Sequence, residues 1–174
     1  MKALITGIAG TGKSTIARAL NERGIPAMDL HDVPDLFVWQ DKKTGKIVPY
    51  SPVHEQGWFD TVDRICNIDK LKELFAQRGD IVMSGSTSGS NQKEFFSQFD
   101  RIILLQADPL TIVHRMQTRT NKSGYGKTEA EQKDNIEWQE EYDSLLISLG
   151  AMPVSTEGGL DDAVNRIIKA LATQ

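Results

Sequence analysis

Eight consecutive residues carry the most explicit chemistry in the chain: Gly7-Ile8-Ala9-Gly10-Thr11-Gly12-Lys13-Ser14. They match G-x-x-x-x-G-K-[ST] at every fixed position. Glycines at these spacings let successive backbone N–H groups turn toward phosphate oxygens. A helix starting at Lys13 adds the partial positive charge of its N-terminus. The Lys13 ammonium reaches β- and γ-phosphates, and the Ser14 hydroxyl is an Mg²⁺ ligand. The expected phosphate-binding set is Gly7, Ala9, Gly10, Thr11, Gly12, Lys13, Ser14 and Thr15.

Such a loop works only between a strand and a helix, and the flanking sequence supplies both. Residues 2–6 (KALIT) predict a short strand. Residues 13–23 predict a helix with Ile16, Ala17, Ala19 and Leu20 inward and Gly24 as its stop. Further strands are expected over 25–29, 80–84, 101–106 and 151–155. The 80–84 and 101–106 strands have the unbroken apolar centres of strands buried on both faces. Asp108-Pro109 predicts a helix cap, and Thr128 to Glu131 a capping box opening a long helix. That helix carries an apolar stripe of Trp138, Tyr142, Leu145, Leu146 and Leu149 and stops at Gly150. The last helix uses Leu160, Val164, Ile167, Ile168 and Leu171. Alternating strands and helices imply an α/β fold, a parallel sheet with helices on both faces.

Composition narrows the class. The chain has 174 residues, 39% hydrophobic and 25% charged, with a formal net charge of −4. That length suits one domain over 1–174. The negative balance argues against general nucleic-acid binding. The longest aliphatic run, Ile102 to Leu105, is far short of a membrane span. The N-terminus shows no apolar run of signal-peptide length, and Cys66 is the sole cysteine. A cytoplasmic protein is expected. Two segments break the strand–helix alternation: 38–59, rich in Pro, Gly, Lys and aromatics, and 120–128 (TNKSGYGKT). Irregular segments of this kind are expected to be binding loops or lids.

The rest of the chain separates the phosphate-loop classes. A GTPase needs N-K-x-D; Asn121-Lys122-Ser123-Gly124 lacks the Asp. Motor ATPases need a longer chain and a carboxylate ending a central strand, whereas Val82-Met83-Ser84-Gly85 has none. Small kinases remain. With its phosphate loop, Met28-Asp29-Leu30-His31-Asp32, Ser84-Gly85 and the Arg115-to-Lys127 segment, nearly the whole chain resembles P-loop kinases related to adenylate, shikimate and gluconate kinases. It is most similar to their AAA-like or kinase-like ATP-binding branch.

The resemblance implies a three-layer P-loop NTPase fold with a five-stranded parallel sheet, order 2-3-1-4-5. It implies ATP and Mg²⁺ as cofactors and transfer of the γ-phosphate to a small-molecule, nucleoside or nucleotide acceptor. A nucleotide-binding module with slow hydrolysis, acting through a partner protein, is the alternative. In shikimate-kinase-like enzymes a D-x-D pair handles Mg²⁺ water and the acceptor hydroxyl. Here Asp29 holds the first position, but His31 stands at the second, followed by Asp32. Asp29 is the first choice for metal contact and catalysis, His31 and Asp32 are alternatives, and a role as helix caps stays open.

Arg115 and Arg119, four apart, are expected to share a helix face. They resemble the arginine pair at the lid entrance, the first packing on adenine and the second contacting phosphates. Lys122 and Lys127 lie in the lid expected over 120–128 and bracket Gly124-Tyr125-Gly126. Residues 38–59 take the place of an acceptor-binding insertion. Trp39, Tyr50, Trp58 and Phe59 there form an apolar wall, stack on a flat substrate, or make the core of a small helical insertion. Asn91 and Gln92 either contact the acceptor or cap a helix. By resemblance, Thr156 to Gly159 pass beside adenine. D-G-F-P-R of adenylate kinases and the arginine-rich acceptor site of shikimate kinases are both missing from the sequence.

Overall fold

The computed structural model describes residues 1–49, 58–120 and 125–173. The phosphate loop joins strand β1 (Lys2–Thr6) to helix α1 (Lys13–Glu22). Then come β2 (Ala27–Asp29), a 3₁₀ turn (Leu30–Asp32), β3 (Phe37–Asp41), β4 (Ile47–Val48), α2 (Trp58–Thr61) and β5 (Val62–Cys66). The second half runs α3 (Ile68–Ala76), β6 (Ile81–Ser84), α4 (Gln92–Phe96), β7 (Arg101–Gln106) and α5 (Pro109–Thr118). It ends with α6 (Glu129–Ser148), β8 (Met152–Ser155) and α7 (Leu160–Ala172).

Five strands form a parallel sheet in the order β2-β6-β1-β7-β8. The expected order 2-3-1-4-5 counted five strands and is not the one observed. Three further strands fall between β2 and β6 in the chain and shift the numbering. They make a second, antiparallel sheet in the order β4-β3-β5.

Alternating residues of each central strand serve opposite faces of the sheet. Leu4, Met83 and Leu104 pack with Phe95, Phe96, Tyr142 and Leu146 on one face. Ala3, Ile5, Val82, Ile103 and Leu105 pack with Ile16 and Leu20 of α1 and Val164 and Ile167 of α7 on the other. Ile102 to Leu105 are all buried. Each such side chain contributes about 1.5–3 kcal/mol over an exposed position.

Among its described residues, the insertion over 38–59 is built on strands, with the single turn of α2 as the one helical piece. Trp39 of β3 and Trp58 of α2 pair at 5.0 Å between ring centroids, so they brace this unit. Tyr50, Lys122 and the side chain of Phe59 lie outside the described residues. On α6, Tyr142 and Leu146 are buried as expected, but Leu149 is exposed, and two polar residues, Gln132 and Asn135, join the buried face. On α7, Leu160 is exposed and Ala163 is buried in its stead.

Candidate active site

The carboxyl ends of the parallel strands bring the chemistry together, as in other open α/β sheets. Gly7, Gly10 and Gly12 hold φ of 145°, 87° and 99°. A Cβ on Gly10 would stand 2.9 Å from both Ile112 O and Ile112 Cγ2. The loop therefore lies on α5 as closely as backbone allows, and only glycine fits. Thr11 is fully buried and donates its hydroxyl to Ile8 O at 2.9 Å, closing the turn. Gly12 is the N-cap of α1 and supplies no side-chain cap. The first N–H groups of α1 thus face outward with their helix dipole.

Lys13 folds back over this loop. Its Nζ donates to Gly7 O and Ile8 O, both at 2.8 Å. Burial lowers its pKa to about 8, against the pull of Asp29, while the Arg119 and Arg64 charges lower it further. An anion placed here restores the balance in favour of the ammonium.

One residue on, the Ser14 hydroxyl donates to Asp29 Oδ2. Asp29 ends β2, and its Oδ1 accepts from the His31 backbone N–H at 3.0 Å and contacts His31 Nδ1 at 2.9 Å. Burial alone would raise the Asp29 carboxyl, but the hydrogen bonds from His31 and Ser14 outweigh it and hold the pKa at about 2. Asp29 is thus an N-cap of the 3₁₀ turn and a partner of the phosphate loop at once. His31 stacks on Phe37 at 5.5 Å. Asp32 is exposed and makes no hydrogen bond or ion pair among the described residues.

A third cation reaches this edge from the second sheet. Arg64 of β5 lies with its guanidinium 4.4 Å above the Phe37 ring and donates to Ser86 O at 3.0 Å. Burial lowers its pKa, and its charge is felt by both Lys13 and Asp29. It has no ion pair among the described residues. The loop after β6 fixes it: Thr87 Oγ1 donates to Arg64 O at 2.8 Å. Gly89 crosses so near that a Cβ would meet Arg64 O at 2.1 Å. Sequence reading missed Arg64, because 50 residues separate it from Ser14 and no local pattern marks it.

The arginine pair is split by the end of α5. Arg115 lies within the helix, whereas Arg119 is its C-cap with extended backbone, so the two do not share a helical face. Arg115 donates to Thr156 Oγ1 at 2.9 Å and Thr156 O at 2.7 Å, fastening α5 to the loop after β8. Arg119 donates to Tyr125 O, and Lys127 Nζ donates to Arg119 O at 3.0 Å. Glu131 Oε2 accepts from the N–H groups of Gly126, Lys127 and Thr128 at 3.0–3.2 Å, a capping box extended into the preceding turn. The Asn91 amide clasps the Cys66 backbone at 2.8 and 3.1 Å.

The donor set fits the groups that the loop implies. Outward amides, the half-buried Lys13 and the guanidinium groups of Arg64 and Arg119 suit a polyphosphate. The Ser14 hydroxyl beside an ionised Asp29 offers the hard oxygens that Mg²⁺ takes.

A family model described as AAA domain matches residues 4–136. The chain belongs to the AAA domain family. No curated protein sequence matches it. Among solved structures it is similar to shikimate kinase from Acinetobacter baumannii in complex with shikimate, with TM-score 0.65 and 18% identity over 98% of this chain and 92% of that one. Deoxyadenosine kinase from M. mycoides with bound dATP gives TM-score 0.55 and 15% identity, covering 99% of this chain and 100% of that one. A gluconokinase from Sinorhizobium meliloti 1021 gives 0.54 and 15%, covering 98% and 94%. The fold of this AAA-domain chain is therefore that of P-loop small-molecule and nucleotide kinases.

Proposed function

We propose that the chain is an ATP-dependent phosphotransferase that moves the γ-phosphate, with Mg²⁺, to a small-molecule or nucleotide acceptor. One observation carries this reading: a complete phosphate loop, with Lys13 folded over it, whose Ser14 hydroxyl donates to the ionised Asp29 at the strand ends. When bound, Mg²⁺ would supply charge neutralisation for the phosphates. Ser14 and Asp29 are the residues to hold it or its water.

Phosphoryl transfer asks a protein mainly for positioning and countercharge. The outward amides from Gly12 to Thr15 receive phosphate oxygens, within a loop shaped by Gly7, Ala9, Gly10 and Thr11. Lys13 takes up negative charge that builds on the transferring group. Arg119, at the end of α5, adds countercharge from the lid side. Arg115 and Thr156 border the nucleotide base. Asp29, held as carboxylate, orients the acceptor hydroxyl and Mg²⁺ water; His31 shares that end of β2. Arg64, pinned on Phe37, takes an anionic group of the acceptor. Residues 1–174 act as one domain on this reading.

Shikimate kinase and deoxyadenosine kinase among the structural relatives support the activity class and leave the acceptor open. A second reading, a nucleotide-binding module with slow hydrolysis, is favoured by one feature: β6 ends in Ser84, not a carboxylate. ADP release with and without a panel of hydroxylated and phosphorylated metabolites separates them. Acceptor-stimulated turnover supports the phosphotransferase; an unchanged slow rate across the panel supports the module.

A further inference from the structure

Helix α6 buries three polar side chains on one face, Gln132, Asn135 and Tyr142, at helical spacings of three and seven. Buried polar groups need partners; Tyr142 and Asn135 find theirs at the end of β1 and in the phosphate loop, Gln132 on α5 and in the turn before α6. The Tyr142 hydroxyl meets Thr6 Oγ1 at 2.8 Å, on the last residue of β1. Asn135 engages both sides of one loop residue: Ala9 N–H donates to Asn135 Oδ1 at 3.1 Å, and Asn135 Nδ2 donates to Ala9 O at 3.0 Å. The second Nδ2 contact is Met116 Sδ at 3.5 Å. Gln132, one turn earlier, donates to Gly126 O at 3.0 Å and accepts from Gln117 at 3.2 Å.

We infer that Asn135 is a positioning residue for nucleotide binding. Its carboxamide holds the Ala9 peptide with N–H turned back toward α6, so that the following amides, from Gly12 to Thr15, are the ones presented to phosphate. The inference rests on the phosphotransferase reading, because it needs the loop to bind nucleotide. A carboxamide can do this where other side chains cannot: it offers a donor and an acceptor in the geometry of a peptide. Loss of the clasp leaves two buried backbone groups without partners, and the loop must rearrange to satisfy them.

Asn135→Leu keeps the number and branching of the side-chain heavy atoms and removes both bonds. Tyr142→Phe, on the same buried face, removes a hydrogen bond outside the loop and serves as the control. Calorimetric titration with Mg-ATP, alongside thermal melting, reads affinity against stability. The expected result is an ATP Kd at least 10-fold weaker for Asn135→Leu and within twofold of the parent for Tyr142→Phe. Parental affinity in Asn135→Leu, or equal weakening in both variants, overturns the inference. Lys13→Ala, titrated in parallel, isolates the underlying reading. If it too binds like the parent, the loop does not carry nucleotide and both claims fall; if Asn135→Leu alone is silent, only this one falls. Amide exchange on the parent protein decides the matter should Asn135→Leu not fold. The Ala9 amide is expected to stay protected with and without Mg-ATP, while the Gly12–Thr15 amides gain protection on binding. Coil-like exchange at Ala9 contradicts the clasp.

Discussion

At the scale of single residues, the site depends on a few charges held away from water. Asp29 is an anion whose charge acts on Lys13 and Arg64, and its hydrogen bonds keep it ionised across the working pH range. Asp29→Asn preserves shape and removes that charge. Turnover with a responsive acceptor should fall by roughly 10²- to 10⁴-fold, the scale of a positioned acid or base, with ATP affinity little changed. Steady-state kinetics and calorimetry on the same preparation check this. Asp32→Asn is the matched control, since Asp32 is exposed and its side chain makes no hydrogen bond or ion pair among the described residues; a dead Asp32→Asn beside an active Asp29→Asn moves the role three residues on. Arg64→Gln tests the acceptor side. It should raise the acceptor KM by about 10-fold or more and leave the ATP KM within twofold, as expected for a charged hydrogen bond made only to the acceptor.

Among the elements, the second sheet was the least legible. The five-residue strands β3 and β5 mix charged, aromatic and aliphatic residues, and β3 is half-buried throughout. Neither clean alternation nor an unbroken apolar run marks them, and both signals are what strand reading requires. The opposite holds for β1, α1 and β7, whose boundaries follow directly from the phosphate loop, Gly24 and the Ile102–Leu105 run. The Thr128–Glu131 box and the Asp108 cap formed as read, because capping is a contact between near neighbours in sequence. Asn135 was invisible for the converse reason: a polar residue on a polar helix looks solvated until its backbone partner, 126 residues away, is known. Asn21 with Ala27 and Asn91 with Cys66 repeat the same clasp.

Cys66, at the end of β5, gives this sheet a reporter. Burial raises its thiol from 9.0 to about 12, although Arg64 pulls the other way. The unfolded chain loses that proton from about pH 9 upward, while the folded chain keeps it. The folded state therefore holds its full contribution from this group below pH 9 and loses it progressively as pH rises toward 12. A smaller drop of melting temperature between pH 8 and 10 in Cys66→Ala than in the parent is the expected result. Labelling by a thiol reagent at pH 8 should run at least about 100-fold slower than for a free thiol, because thiolate and access are both lacking. Equal pH slopes, or fast labelling of the native protein, would show β5 open to solvent.

For the molecule as a whole, a chain of net charge −4 concentrates Lys13, Arg64 and Arg119 at one edge of its sheet. That edge is where the phosphate loop, the end of β2 and the second sheet converge, and it makes sense for a polyphosphate donor facing an anionic acceptor. The fold narrows the chemistry without naming the acceptor, since one architecture serves several substrates. The decisive measurement is transfer of label from ATP radiolabelled in its γ-phosphate into a library of metabolites, nucleosides and nucleotides. A labelled organic phosphate that forms with the parent protein, and falls at least about 100-fold with Lys13→Ala, is the predicted result. Label released only as inorganic phosphate, at one slow rate whatever acceptor is present, would contradict it.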